Sequence, residues 1–167
     1  NEPGKRLGNY TVTLNTPVLT VTTRPLTVTP NDPSKIYGNV FNTFTGTIVG
    51  IQNADAITAT YSSPGSAATA TVAGSPYTIT AVLNAPAGVL ANYNVTNNTG
   101  TLAVTQRDLV IQPADKTKAF GTVFSAFTGS IVGIQNGDAI TATYASTGAP
   151  AAAAVGTYPI TATANAP

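Results

Sequence analysis

Four carboxylates and two lysines recur in register along this 167-residue chain, and any chemistry would have to rest on them. Asp55 returns as Asp138, Asp32 as Asp115 and Lys35 as Lys118. Carboxylates placed beside backbone carbonyls can hold calcium, so Asp55 and Asp138 are weak metal candidates. A hard cation wants about six to eight oxygens, however, and two carboxylates per repeat are few. Turn and cap roles, with the carboxylate accepting backbone N–H bonds, are the stronger reading. Lys35 and Lys118, near recurring Asn and Asp, could form intramolecular isopeptide bonds; a snorkelling side chain at a strand edge is the plainer alternative. General acid–base work needs converging carboxylates, a His or a tuned Lys, and nucleophilic work an activated Ser, Thr or Cys. The chain has no His, Cys, Met or Trp, and no such constellation can be traced. No catalytic residue, metal or cofactor is expected.

The elements that carry these residues are written in the composition. Charged residues are 8% of the chain and hydrophobic ones 43%, which is the reverse of a disordered profile. Val, Ile, Thr and Tyr suit a pleated, half-buried surface, so the expectation is all-β. Glu2 is the only Glu, and helix-forming periodic runs are absent. The net charge of +1 is scattered, leaving no basic stripe for a phosphate backbone, so nucleic acid is an unexpected partner. No stretch approaches the roughly 20 apolar residues of a membrane-spanning helix. The opening Asn1 to Gly4 has neither an initiator Met nor signal-peptide regions, which reads as a mature or excised segment. A Thr-rich chain without oxidisable side chains fits an extracellular location.

A repeat organises the whole chain. Phe44 to Tyr61 returns as Phe127 to Tyr144, 83 positions on, with 16 of 18 residues identical. The same offset carries Arg24 to Arg107 and Tyr37-Gly38 to Phe120-Gly121 and, backwards, Asn92-Tyr93 to Asn9-Tyr10. The expected division is therefore residues 1–23 as closing strands of a preceding split repeat, 24–106 as a complete repeat, and 107–167 as an incomplete one. Asn84-Ala-Pro86 corresponds to Asn165-Ala-Pro167, and in the complete repeat it is followed by Asn92 to Thr96 and Gly100 to Thr105. The head of the chain carries counterparts of those strands. Either one long polypeptide repeats through this window or identical copies complete each other by strand donation, head to tail. The expected inter-copy residues are Asn9, Tyr10, Val12, Val18 and Val21 at one end and Pro167 at the other.

Within a repeat, apolar residues alternate with Thr and Asn: Leu26/Val28, Ile57/Ala59/Tyr61, Tyr77/Ile79/Ala81/Leu83, Tyr93/Val95 and Leu102/Val104. Gly and Pro punctuate the strands at roughly ten-residue intervals, the rhythm of small antiparallel β-sandwich modules of Ig-like form. The alternative is a β-grasp-like module with one short helix near Asn53 to Ile57, capped by the Asn-x-Asp step. Closing strands run almost directly into Arg24 and Arg107, so the array should be stiff. Tyr37, Phe41, Phe44, Tyr61, Tyr77 and Tyr93 could form a sugar-stacking face, but their recurrence at alternating strand positions favours core packing.

The order Leu26 to Thr29, Lys35 to Gly38, Gly50 to Asp55, Tyr77 to Ile79, Asn92 to Val95 and Gly100 to Val104 resembles the MBG domain of the YGX type. The resemblance covers nearly the whole chain, although the second repeat has Phe120 where the motif has Tyr. It implies tandem modules of large bacterial surface adhesins, and it brings no catalytic residues. The expected function is a structural repeat segment of an adhesin stalk or extracellular fibre, assembled head to tail as a linear filament. The alternative is a module that itself binds glycans or matrix.

Overall fold

Thr outside and Leu or Val inside is the pattern of a strand with one wet face, and the computed structural model, which describes residues 8–166, folds the complete repeat on that basis. Its strands are β1 (Arg24–Pro30), β2 (Ser34–Ile36), β3 (Gly46–Val49), β4 (Thr58–Ser62), β5 (Tyr77–Asn84), β6 (Tyr93–Asn97) and β7 (Gly100–Thr105). They form two sheets, ordered β3-β1-β6 and β2-β7-β5-β4. Leu26 and Val28 of β1 face Ile79 of β5 and Leu102 of β7, and all four are fully buried. Each such side chain contributes about 1.5–3 kcal/mol relative to exposure. A satellite cluster of Leu26, Ile57 and Tyr93 closes one end against Ile48, Ile51, Leu83 and Leu90.

The fold is all-β, as expected, but its sheets are mixed and not purely antiparallel. β1 runs parallel to β6, and β2 parallel to β7. The reason lies in the chain path. Along β1 to β3 successive strands alternate between the two sheets, and β5 to β7 do the same. In-plane neighbours such as β1 and β6 are thus joined by a crossover, and a crossover connection permits parallel pairing. The step at Asn53 to Ile57 is not a helix. Asn53 and Ala54 take φ of 55° and 54°, and the Asp55 N–H donates to the Gln52 carbonyl at 2.9 Å. Two successive left-handed residues define a type I′ turn, for which Asn at the first position is a strong signal. The helical turns found instead are short 3-10 pieces at Pro64–Ser66 and Val89–Asn92.

The second repeat reproduces part of this plan with β8 (Val110–Pro113), β9 (Gly129–Val132), β10 (Thr141–Ala145) and β11 (Thr161–Asn165). β8 pairs with β9 and β10 with β11, both antiparallel. No large hydrophobic side chain among the described residues 107–166 is fully withdrawn from solvent, in contrast to the first repeat. Upstream of β1, residues 10–23 form no strand and are exposed.

Candidate inter-unit junction and strand cleft

The two repeats meet through the Gln135 to Asp138 turn of the second and the Tyr37-Gly38 step of the first. Asn136 and Gly137 take φ of 53° and 74° in that turn, as the type I′ turn of the first repeat does at Asn53 and Ala54. The Tyr37 hydroxyl donates to both carboxylate oxygens of Asp138, at 3.1 and 2.9 Å. Asn136 Nδ2 donates to the Ala68 carbonyl at 3.1 Å. Arg107, at the entrance to the second repeat, donates to the Tyr37 carbonyl at 3.3 Å and to Asn39 Oδ1 at 3.1 Å. Gly38 sits at φ +87° with the Gln135 side chain against its Cα; a Cβ there would lie 2.4 Å from Gln135 Cγ. Glycine is required on both counts. The turn that presents Gln135, Asn136 and Asp138 is held by the Asp138 N–H to Gln135 carbonyl bond of 2.9 Å.

Asp55 and Asp138 are therefore tyrosine acceptors. Within the first repeat, the Tyr93 hydroxyl donates to Asp55 Oδ2 at 2.6 Å and accepts the Gln52 N–H at 3.0 Å. The Asp55 bond, first, and burial push the Tyr93 pKa up, partly offset by the Gln52 N–H bond and by Arg24. Asp32 does take a cap role, accepting the Thr101 N–H at 2.6 Å. No group of three or more His, Cys, Asp or Glu side chains is gathered as a metal site among the described residues. Lys35 is buried; its ammonium donates to the Asn39 carbonyl at 3.0 Å and to the Ala67 carbonyl. Burial lowers its pKa. Lys118 repeats the arrangement with the Thr122 carbonyl at 2.9 Å and that of Pro150. Lys35 thus ties loops to the edge strand β2, and Lys118 ties loops to one another, both through main-chain oxygens.

The aromatic side chains of the first repeat are buried or half-buried, whereas Phe120 of the second is 69% exposed and Tyr10 72%. Phe41 and Phe44 meet edge to face with centroids 5.0 Å apart, and Phe124 and Phe127 repeat the pair at 5.0 Å. Tyr93 is buried, and the Tyr77 hydroxyl donates to the Thr71 carbonyl at 3.0 Å.

The second repeat contains a cleft of ≈ 680 Å³ between the Asp115 to Lys118 edge and the Val155 to Ile160 segment. In the first repeat the corresponding space is filled by β7, which pairs with β2 on one side and with Tyr77 to Ile79 of β5 on the other. The residues that would pair with such a strand, 117–119 and 158–160, are not in strands in the second repeat. Of the expected inter-copy residues, Asn9, Tyr10, Val12, Val18 and Val21 are all exposed, and none pairs with a strand among the described residues. Pro167 lies outside the described residues. Arg107 was placed at the junction by the sequence, whereas Tyr37, Gln135 and Asn136 were not singled out there. The signal was available, since Tyr37-Gly38 and the Gln-Asn-x-Asp turn both belong to the repeat.

A family model for the MBG domain (YGX type) matches residues 26–103 and 109–167. No curated protein and no solved structure matches the chain.

Proposed function

The chain belongs to the MBG domain family of the YGX type, and from that premise we propose that it is a non-catalytic spacer, a stiff length of the stalk or fibre of a bacterial extracellular adhesin. The observation that carries this reading is the junction. Only Gln106 to Leu109 separate β7 from β8. Across that short connection, Tyr37 to Asp138, Asn136 to Ala68 and Arg107 to Asn39 restrain the second repeat against the first. A flexible linker leaves its domains free to reorient, whereas several directional bonds at a four-residue connection fix one orientation. Repeating one such junction gives a linear array that holds a distal region away from a surface. The low charge and the absence of Cys and Met agree with exposure outside the cell. No helix among the described residues is long and apolar enough to cross a membrane.

Commitment of the first repeat's aromatic side chains to packing favours spacing over glycan or matrix binding as the role of the repeats themselves. The test is a distance distribution between spin labels at Thr60 and Thr143, equivalent exposed strand positions in the two repeats. The chain has no native Cys to confuse the labelling. A narrow distribution that broadens in Tyr37→Phe/Asp138→Asn is expected. A broad distribution in the unaltered chain overturns the spacer reading, and saturable glycan binding by the unaltered chain would put the binding-module reading in its place.

A further inference from the structure

Resting on the junction reading above, we infer that Asn136-Gly137 is a self-modification site: Asn136 deamidates through a cyclic imide, and the product releases the second repeat from the first. The sequence singles this step out. Of all the asparagines in the chain, Asn136 alone is followed by glycine, and its counterpart Asn53 is followed by Ala54. The first repeat is therefore an internal reference. The two turns read Ile-Gln-Asn-x-Asp-Ala-Ile with φ of 55° and 53° at the asparagine, and they differ in the one residue that follows it.

The chemistry needs only water. The main-chain nitrogen of Gly137 attacks Cγ of Asn136, and its proton passes to the side-chain nitrogen, which leaves as ammonia when the Cγ–Nδ2 bond breaks. Water then opens the imide ring. Cleavage between Cγ and the Gly137 nitrogen gives aspartate; cleavage between the Asn136 main-chain carbonyl carbon and that nitrogen gives isoaspartate, in which the chain runs through the side chain. Nothing is oxidised or reduced. Asn136 and Gly137 are both exposed, so water and base reach them. A Cβ at position 137 would meet nothing within 4 Å, so the space beside the attacking nitrogen is open. Glycine also lets the chain swing out of its left-handed turn toward ring closure, whereas Ala54 sets a methyl group beside the equivalent nitrogen.

The side chain that reacts is a junction contact. Asn136 Nδ2 donates to the Ala68 carbonyl at 3.1 Å, and the same carbonyl accepts the Gly38 N–H at 3.2 Å. After the reaction Nδ2 is gone and a carboxylate oxygen faces that carbonyl, an acceptor against an acceptor. The new charge also stands two residues from Asp138, whose carboxylate holds the Tyr37 hydroxyl. Isoaspartate further lengthens the main chain inside the turn that the Asp138 N–H to Gln135 carbonyl bond closes. Docking and reaction oppose each other, because the Ala68 bond occupies the amide that must leave. The rate at Asn136 therefore follows the fraction of time for which the junction is open.

The experiment incubates the full chain in warm, mildly alkaline buffer and maps its peptides by mass spectrometry over time. Asn136 should convert ahead of every other asparagine, to a mixture of isoaspartate and aspartate; conversion led by another asparagine, or aspartate as the sole product, overturns the imide route. Gly137→Ala should bring the rate at Asn136 down to that of Asn53 or below, and Ala54→Gly should raise Asn53 above Asn136, which its Ala68 bond protects. Rates indifferent to these exchanges overturn the assignment. Tyr37→Phe should speed Asn136 about 5-fold, the weight of one hydrogen bond lost from the closed junction, without altering Asn53; an unchanged rate overturns the coupling to docking. The consequence is read with the labels at Thr60 and Thr143. Asn136→Asp, and the unaltered chain after conversion, should broaden a distance distribution that is narrow in the fresh chain. A distribution that stays narrow overturns the release and leaves the spacer standing. One that is already broad in the fresh chain overturns the spacer reading and the release with it, while Asn136 leading the peptide map still upholds the reactive site.

Discussion

Replacing Ala54 by glycine should stabilise the first repeat, and replacing Gly137 by alanine should weaken the second by a similar amount. Both positions are the second central residue of the same turn. Asn53 and Ala54 stand at φ 55° and 54°, and Asn136 and Gly137 at 53° and 74°. An L-residue in this region carries a steric cost of about 1–2 kcal/mol that glycine avoids. Glycine in turn returns about 0.5–1 kcal/mol through the greater freedom of its unfolded chain. The net is about 0.5–1 kcal/mol in favour of glycine at either site. A Cβ at Gly137 would meet nothing within 4 Å, so Gly137→Ala isolates the backbone effect from packing. Urea unfolding read by backbone amide exchange in peptides of each repeat assigns the change to its own unit. At a slope of about 1 kcal/mol/M the midpoint should move about 0.5–1 M, upward for Ala54→Gly and downward for Gly137→Ala, with the slope unchanged. Destabilisation by Ala54→Gly, or no response to Gly137→Ala, would refute the left-handed turn. The functional consequence is direct, because this turn holds Gln135, Asn136 and Asp138 against the first repeat.

The other expectations concern the junction, the core and the alkaline limb. Tyr37→Phe and Asp138→Asn should show a coupling energy of about 1 kcal/mol in a double-mutant cycle on unfolding of the second repeat, the value for a partly exposed bond to a charged group; additive effects within about 0.3 kcal/mol would dismiss the latch. Leu102→Ala should cost about 2–5 kcal/mol in the first repeat, while Leu19→Ala, at an exposed position, should change stability by less than about 0.5 kcal/mol, as thermal unfolding of the two variants would record. Tyr93 has its pKa raised by the bond to Asp55, so its contribution is fully present below its ordinary value near 10 and lost as pH rises through the folded value. Buried Lys35 is shifted down, so its effect runs the opposite way, stability rising with pH from its lowered folded value up to its ordinary value near 10.5. Tyr93→Phe should consequently make the slope of stability against pH more positive above about pH 10, and an unaltered slope in pH-dependent urea titrations would dismiss the Tyr93 assignment.

Much of the fold was legible in local sequence, because period-two alternation is a property of neighbouring residues. Leu26/Val28, Ile79/Ala81 and Leu102/Val104 were readable as inward-facing without any knowledge of their partners, and each pair is buried. The repeat itself was legible for the same reason, since identity at a fixed offset needs no coordinates. Parallel pairing of β1 with β6 and of β2 with β7 was not legible. Strand direction within a sheet depends on which sheet each intervening strand joins, and alternation alone carries no information about that. The Asn-x-Asp step was not decidable from sequence for a related reason: Asn caps helices and also opens type I′ turns, and only the φ values of Asn53 and Ala54 separate the two.

What the sequence determined by itself was therefore the class of the strands, their inward faces, the offset of 83 and the resemblance of residues 9–22 to β6 and β7. Tertiary structure alone decided what the recurring polar residues do. Asp138 accepts from a tyrosine 101 positions earlier in the chain, Asp55 from one 38 positions later, and the cleft beside Asp115 lies where β7 stands in the first repeat. A hydrogen bond across such separations is fixed by how two surfaces meet in space, and no spacing along the chain encodes that meeting.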